Sequence, residues 1–142
     1  MIWKMPITLD DINNRSKNTA AMHLGIEFTE IGDDYLVATL PITEKVMQPL
    51  GLLHGGISVA LAETVASSAA NYCVDQDDYY CVGLEINANH IRSVSHGVVR
   101  ATATPVHIGK STHVWQIHIK NDLDKICCIS RITMAVISRH KK

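Results

Sequence analysis

A single glutamate stands out in the least charged stretch of the chain. Between Val46 and Val74, Glu63 is the only acidic or strongly basic residue, and His54 is the only other group that readily takes a charge. A carboxylate inside an apolar helix is costly unless it is paired or hydrogen-bonded. No cation lies three or four residues away, although Ser67 can face Glu63 across one turn. The pattern favours a desolvated catalytic carboxylate, acting as base or nucleophile. The alternatives are a glutamate that reaches solvent or pairs with a cation elsewhere in the fold.

A glycine pair at the predicted start of the same helix is the second chemical feature. The run Leu53-His54-Gly55-Gly56 precedes the helix. The first N–H groups of a helix have no internal acceptor, and the helix dipole favours negative charge there. Such a site suits the oxyanion that forms when a thioester carbonyl is attacked. Gln48 lies on the approach to this helix end and could donate an amide hydrogen bond. A plain loop-to-helix transition is the alternative.

The spacing of these two features indicates a homodimer. Gly55 and Glu63 are eight residues apart, or about 12 Å along a helix. One carbonyl group cannot touch both within one chain. If both serve one thioester, two helices must lie antiparallel across a two-fold axis, which gives two equivalent sites.

Basic residues late in the chain are candidates for contacts with phosphate groups. They fall after the third predicted strand, around a glycine turn and in the tail, at His90, Arg92, His107, Lys110, Arg139, His140, Lys141 and Lys142. Solvated turn lysines and an unstructured tail are the alternatives.

The elements that must position these residues follow from the hydrophobic pattern. Alternating segments separated by turn residues predict strands, and the Ala-rich segment predicts a helix with apolar residues on every side, which is typical of burial all round. Thr8 and Asp11 form a capping-box pattern for a short first helix. Because the later strands are long and the turns short, we expect an antiparallel meander. The predicted helices are 9–16 and 56–73, and the predicted strands are 26–31, 35–42, 80–91, 98–108, 112–120 and 126–137.

The sequence therefore predicts an α+β fold, in which an antiparallel sheet of about six strands wraps around one long central helix. The 142 residues fit one domain spanning 1–142. A net charge of −1 argues against a general nucleic-acid binder. Four cysteines without metal or redox spacing, and an amino terminus without an apolar signal-peptide core, predict a cytoplasmic protein with free thiols and no membrane partner.

Several other chemistries lack their motifs. The sequence contains no H-E-x-x-H pair, no zinc-like cluster of Cys and His, no G-x-S-x-G elbow, no P-loop and no dinucleotide fingerprint. We therefore expect neither a metal nor a redox cofactor.

The segment from Gln48 to Gly56, followed by Ala62-Glu63, resembles the hotdog-fold acyl-CoA thioesterases. Within them it is similar to the hydroxybenzoyl-CoA branch, which carries its catalytic glutamate on the central helix. The stretches Gly83–His90 and Pro105–Gly109 match as well. Within that branch the sequence looks most like two groups, the menaquinone-pathway dihydroxynaphthoyl-CoA thioesterases and the proofreading thioesterases of enterobactin synthesis. The stretch Leu84–His90 is more similar to the first group.

The resemblance implies a role for each candidate residue. Glu63 would act as nucleophile or general base, and the Gly55 N–H would polarise the thioester carbonyl. Gln48 and His54 would assist at that carbonyl or at the leaving thiolate, and Ser67 would position water or Glu63. Contacts with the acyl group or CoA would come from Gly83, His90, Ile91, Arg92, Ser93, His107, Ile108, Gly109, Lys110 and Ser111.

The resemblance also implies dimers that pair into homotetramers, with CoA present only as part of substrate and product. Three alternatives stay open. The chain could be a hotdog dehydratase or hydratase, although the motifs of those enzymes do not surround the helix. It could be a non-catalytic acyl-CoA binding protein, or it could act on an acyl-carrier protein rather than on CoA.

Overall fold

A six-stranded antiparallel sheet packs against one long helix in the computed structural model, which describes residues 1–140. A short 3-10 turn at Glu44–Val46 precedes the loop that leads into the long helix. The elements are α1 (Leu9–Asn14), α2 (Ala20–Leu24), β1 (Glu27–Ile31), β2 (Leu36–Pro41), α3 (Gly55–Tyr72), β3 (Tyr79–His90), β4 (Val98–Ile108), β5 (Thr112–Lys120) and β6 (Ile126–Ser138). The predicted strands and the long helix are confirmed to within about a residue or two at most ends.

The strand order is β1-β2-β4-β5-β6-β3, so the prediction of a simple meander is wrong in part. The β1–β2 hairpin and the run β4-β5-β6 join sequence neighbours, as expected. However, β3 pairs with β6 at the far edge, and β4 returns to pair with β2. Alternation of apolar residues determines which face of a strand is buried but not which strand lies beside it. The crossover through α3 could therefore not be inferred from the pattern.

One stripe of α3 fills the core against the inner face of the sheet. That stripe consists of Ser58, Leu61, Ala62, Val65, Ala66, Ala69, Ala70 and Tyr72, all buried. It packs against side chains such as Trp115 and Ile117, which are fully buried on β5. The strict alternation of buried and half-exposed residues along β5 reflects the single core-facing side of the sheet.

The expectation that α3 is buried on all sides is wrong for the single chain. Glu63, Thr64, Ser67, Ser68 and Asn71 form a half-exposed face. We call this the open face of α3. The small size of its serine and threonine side chains made the helix look uniformly apolar in the sequence pattern, whereas their hydroxyl groups face a groove.

The short amino-terminal helices complete the fold. The Thr8 side chain accepts a hydrogen bond from the Asp11 N–H (3.1 Å), so the predicted cap is confirmed, but α1 ends at Asn14 rather than at residue 16. α2 was not predicted because five residues are too few to display a helical period. Among the described residues, no helix is both long and apolar enough to cross a membrane.

Candidate active site

The Glu63 carboxylate lies against the backbone of β3. A Cβ atom placed on Gly83 would stand 2.7 Å from Glu63 Oε2, closer than real Cβ contacts come. The pairing of β3 with β6 shifts register between Gly83 and Glu85, which marks a bulge at this point. Glycine at position 83 is therefore what lets the carboxylate rest against the strand. The resemblance placed Gly83 at the substrate, and the structure places it beside the catalytic candidate.

Glu63 is half-exposed on the open face of α3. In the single chain Glu63 keeps part of its side chain accessible, so the expected desolvation of the carboxylate is incomplete there. The salt-bridge alternative is not supported either, since no Lys, Arg or His nitrogen within residues 1–140 lies within 4.0 Å of Glu63. The carboxylate is thus available to an incoming group.

The amino terminus of α3 is capped by its own preceding residue. His54 is the N-cap, and its Nδ1 accepts a hydrogen bond from the Gly56 N–H at 2.9 Å. The His54 carbonyl accepts from the N–H groups of Ile57 and Ser58. The Gly55 N–H has no acceptor in the described part of the chain. This first N–H is consequently the free donor that an oxyanion needs.

A cavity of about 320 Å³ opens at this helix end. It brings together several of the residues singled out in the sequence, namely Gln48, Gly55, His90, Ile91, Arg92 and Ser93, and adds Ser58, Val94 and Cys127. The His90 imidazole closes over Gly55, since a Cβ on Gly55 would meet His90 Nε2 at 3.0 Å. The Gln48 side-chain oxygen accepts from the Leu50 N–H, which leaves its amide N–H₂ free to donate.

The other predicted residues lie elsewhere. Ser67 lines a separate cavity of about 400 Å³ on the open face. Ile108, Gly109 and Lys110 line a third cavity, of about 520 Å³, beyond the carboxyl end of α3. His90 pairs with Cys128 near the start of β6, whereas Thr112 pairs with Ala135 near its end. At about 3.3 Å per residue, the 90–93 and 107–111 segments stand roughly 20–25 Å apart in one chain.

The β4–β5 turn is shaped around His107. A Cβ on Gly109 would lie 2.5 Å from His107 Nε2, so the histidine ring folds onto the turn glycine. Gly109 donates a hydrogen bond to the Thr112 carbonyl at 2.8 Å, which closes the turn. Lys110 and Ser111 are exposed at its tip.

The tail residues that were phosphate candidates are engaged within the chain. Arg139 Nε donates to the Gln76 carbonyl, and its guanidinium stacks over the Tyr80 ring. His140 Nε2 contacts Asp78 Oδ1 at 2.8 Å. Lys141 and Lys142 lie outside the described residues. The structure therefore does not place Arg139 or His140 at any of the three cavities described above.

Four residues of interest carried no signal in the sequence. Arg15 and Tyr72 line the open-face cavity, and Cys127 lines the cavity at the helix start. His113 is fully buried beside the third cavity, where burial lowers its pKa, with a smaller contribution from His107. None of the four belongs to a recognisable motif, and in the sequence each looks like an ordinary core or surface residue. Their positions beside cavities become visible only in the folded structure.

Replacing Gly83 by Ala is expected to lower kcat about tenfold with the fold retained. The new methyl group would occupy the space of Glu63 Oε2 and move the carboxylate. A small displacement of a reacting group lowers the reaction rate strongly. The measurement is steady-state thioester hydrolysis together with thermal unfolding. Val82→Ala is the matched control, because Val82 precedes Gly83 on β3 and is exposed. Unchanged kcat in Gly83→Ala would contradict this contact.

The four cysteines are expected to stay unreactive in the folded protein. All are buried and free, and burial raises the pKa of Cys73 to about 12 and that of Cys81 to about 11. Burial also raises the pKa of Cys127 and Cys128. Because the thiolate is the reactive form, Ellman's reagent at pH 8 should titrate almost no protein thiol until guanidinium is added, when four should appear. Rapid reaction of the native protein would contradict the buried placement.

The sheet around α3, with a carboxylate on the open face of the helix and a free N–H at its start, is the arrangement of a hotdog-fold hydrolase. A family model described as the thioesterase superfamily matches residues 50–128. The chain belongs to the thioesterase superfamily, and it is a thioester hydrolase.

Two relatives match over nearly their whole length. The "Proofreading thioesterase EntH" of Cronobacter turicensis is 47% identical over 137 residues, covering 96% of this chain and 99% of the relative. The "1,4-dihydroxy-2-naphthoyl-CoA hydrolase" of Escherichia coli is 46% identical over 137 residues, covering 96% and 100%. A solved thioesterase from Haemophilus influenzae superposes with a TM-score of 0.97 at 47% identity, covering 99% of this chain and 98% of that one. The expected fold is thereby confirmed.

Proposed function

We propose that this protein hydrolyses aromatic acyl-CoA thioesters, with Glu63 as nucleophile or general base and the Gly55 N–H as oxyanion donor. The observation that carries the proposal is the Glu63 carboxylate, which has no cation beside it within residues 1–140 and rests against Gly83 on the open face of α3. The name of the Escherichia coli relative supports an aryl substrate of the dihydroxynaphthoyl type, and the resemblance to the hydroxybenzoyl-CoA branch adds the hydroxybenzoyl type.

The complete site is formed by two chains. Gly55 and Glu63 lie on one helix about 12 Å apart along its axis, too far for a single carbonyl group. Two α3 helices lying antiparallel and overlapping over residues 55–63 would bring Gly55 of one subunit to Glu63 of the other. The partner would also cover Glu63 and supply the desolvation that the single chain lacks. We therefore propose a homodimer as the minimum catalytic unit and a homotetramer as its assembled form.

The same two-fold arrangement gives a reason for the separation of the CoA-contact segments. The carboxyl end of the partner's α3 would project beyond the amino end of this chain's α3. The partner's 107–111 turn would then approach the cavity lined by His90 to Ser93. Arg92 in one chain and Lys110 in the other would supply positive charge for the phosphate groups of CoA.

Catalysis on this arrangement proceeds by acyl transfer. The thioester carbonyl oxygen accepts a hydrogen bond from the Gly55 N–H while Glu63 attacks the carbonyl carbon or removes a proton from the attacking water. Negative charge on that oxygen is stabilised by the helix amino terminus. The C–S bond then breaks and CoA leaves as the thiolate. If Glu63 is the nucleophile, water next hydrolyses the mixed anhydride, which releases the acid and restores the Glu63 carboxylate. The Gln48 amide N–H₂ and the free Nε2 of His54 stand at the same end and assist the carbonyl or the leaving thiolate, and Ser67 helps position water. The scheme requires no metal or redox cofactor.

A second candidate substrate is an acyl or aryl group on a carrier protein. The relative named "Proofreading thioesterase EntH" favours it. Arg92 and Lys110 are exposed and could contact an acidic carrier domain as well as CoA phosphates. A cytoplasmic location would suit either substrate and is part of the proposal.

A panel of thioesters followed with a thiol reagent tests the proposal. Benzoyl-, hydroxybenzoyl- and hydroxynaphthoyl-CoA should turn over faster than aliphatic acyl-CoA of comparable size. Faster hydrolysis of the same aryl groups on a carrier protein would favour the second candidate. Binding of the CoA thioesters without hydrolysis of any of them would contradict the proposal and favour a non-catalytic binding protein.

A further inference from the structure

The cavity on the open face of α3 has an unusual lining for an apolar acyl chain. It measures about 400 Å³, within the usual range for small-molecule sites. One wall is α3 and the other is formed by α1, α2 and their connection. Its lining joins apolar side chains, those of Ile12, Ala20 and Ala21, to a guanidinium, hydroxyl groups and an amide, which are supplied by Arg15, Ser16, Thr19, Thr64, Ser67, Ser68, Asn71 and Tyr72.

This cavity begins beside the catalytic candidate. Thr64 follows Glu63 directly, and Ser67 lies one turn further along the same face of α3. Asn71 ties this face to β3, because its side chain donates to the Cys81 carbonyl and accepts from the Cys81 N–H. Gly83, which touches Glu63, lies two residues further along β3. Glu63 does not itself line the cavity, so an acyl group whose carbonyl is held at Glu63 would enter it past Ser67 and extend toward Tyr72.

Within residues 1–140, two groups at one end of the cavity have neither a side-chain hydrogen bond nor a salt bridge. The Tyr72 side chain is almost fully buried, at 3% exposed, and its hydroxyl has no hydrogen bond within the described chain. The Arg15 guanidinium lies over the Tyr72 ring, with Cζ 5.0 Å from the ring centroid. No carboxylate of residues 1–140 comes within 4.0 Å of that guanidinium.

An unpaired buried hydroxyl carries a free-energy cost that a ligand can remove. Burial raises the pKa of Tyr72, and Arg15 opposes this rise, so the phenol stays protonated at neutral pH and can donate. A guanidinium beside such a donor matches a planar anion, which accepts two or more hydrogen bonds at once.

Resting on the proposed function, we infer that the acyl group hydrolysed by this protein carries an acidic substituent, a carboxylate, at the end remote from the thioester. Arg15 and the Tyr72 hydroxyl bind that carboxylate, and the serine and threonine hydroxyls of the cavity accommodate polar groups along the way. Glu63 and Tyr72 are nine residues apart on α3, or about 13 Å along the helix. A substrate of naphthoyl size with a distal carboxylate spans most of that interval.

A matched pair of substrates tests this inference. The probes are 6-carboxy-2-naphthoyl-CoA and 2-naphthoyl-CoA, which differ only in the distal carboxylate. The wild-type protein should prefer the first in kcat/KM. Arg15→Met should lower the ratio of the two kcat/KM values about 10- to 100-fold, as expected for losing a hydrogen bond to a charged group. The drop in kcat/KM for the carboxylated probe should come mainly from a higher KM. Arg15→Lys should keep part of the preference for the carboxylated probe over 2-naphthoyl-CoA.

Tyr72→Phe provides a second variant with a different structural expectation. Because the hydroxyl has no partner in the described residues, its removal should leave the thermal unfolding temperature unchanged or higher. It should nonetheless lower the same ratio. An unaltered ratio in both Arg15→Met and Tyr72→Phe, with Glu63-dependent hydrolysis of both probes, would overturn the inference and leave the proposed function standing. If neither probe nor any thioester of the panel is hydrolysed in a Glu63-dependent way, the proposed function fails and the inference fails with it.

Discussion

Glu63→Gln is expected to lower kcat by about 10²–10⁴ or more, the range for loss of a positioned base, and to leave the fold intact. The glutamine side chain has the same shape, so the close contact with Gly83 is preserved. It cannot take a proton from water or attack a carbonyl carbon at a useful rate. The release of CoA from an aryl-CoA substrate, followed with a thiol reagent, measures the effect.

Glu27→Gln is the matched control for the charge change. Glu27 is exposed on β1, at the opposite edge of the sheet from β3, and should tolerate the same substitution without loss of rate. Thermal unfolding of both variants should stay close to that of the wild type. Activity of Glu63→Gln within a few-fold of the parent would contradict the assignment of Glu63.

Most of the scaffold of this site could be predicted from the sequence. Alternation of apolar and polar residues indicates the strands, and the Ala-rich segment indicates the helix. The spacing of apolar residues differs between the two because side chains repeat every two residues in a strand and about every 3.6 residues in a helix. The predicted helix 56–73 and the observed α3 differ by one residue at each end. Gln48, Gly55 and His90 to Ser93 line one cavity, but they were named as candidates mainly through family resemblance and not through any period in the sequence, and their roles stay predictions.

Strand neighbours and the exposure of α3 could not be predicted in the same way. Pairing of β3 with β6 depends on where the chain travels after α3, and no residue pattern encodes that path. The open face carries Ser67, Ser68 and Thr64, whose small side chains fit either a packed core or a groove. The placement of Arg15 and Tyr72 in one cavity likewise depends on tertiary contacts between residues distant in sequence.

Gly55→Pro is expected to lower kcat by about 10²–10³, the effect of deleting one oxyanion donor. Proline has no N–H and is favoured at the first position of a helix. His54, the preceding residue, already has φ −65° and ψ 130°, the conformation that a following proline requires. Helix α3 should therefore form normally in the variant.

Gly55→Ala is the matched control, because it adds a Cβ at the same place and keeps the N–H. Either substitution brings that Cβ within about 3.0 Å of the His90 Nε2 position, so both displace the imidazole to a similar extent. The difference in kcat between the two variants measures the loss of the N–H donor together with the effect of the proline Cδ atom that takes its place. Equal rates for alanine and proline would contradict a role for the Gly55 N–H.

Combining the two inactive variants tests whether the site is shared between chains. Glu63→Gln retains the Gly55 N–H, and Gly55→Pro retains the Glu63 carboxylate. In a mixed dimer of the antiparallel kind, one of the two sites receives both intact groups and the other receives neither. Random pairing of equal amounts should thus restore about a quarter of wild-type activity, counting one active site in half of the dimers. Co-expression with two affinity tags isolates the mixed dimer, which should show about half of wild-type activity because one of its two sites is intact. Because a site contained within one chain would have lost one of its two groups in every subunit, such a site predicts no recovery at all.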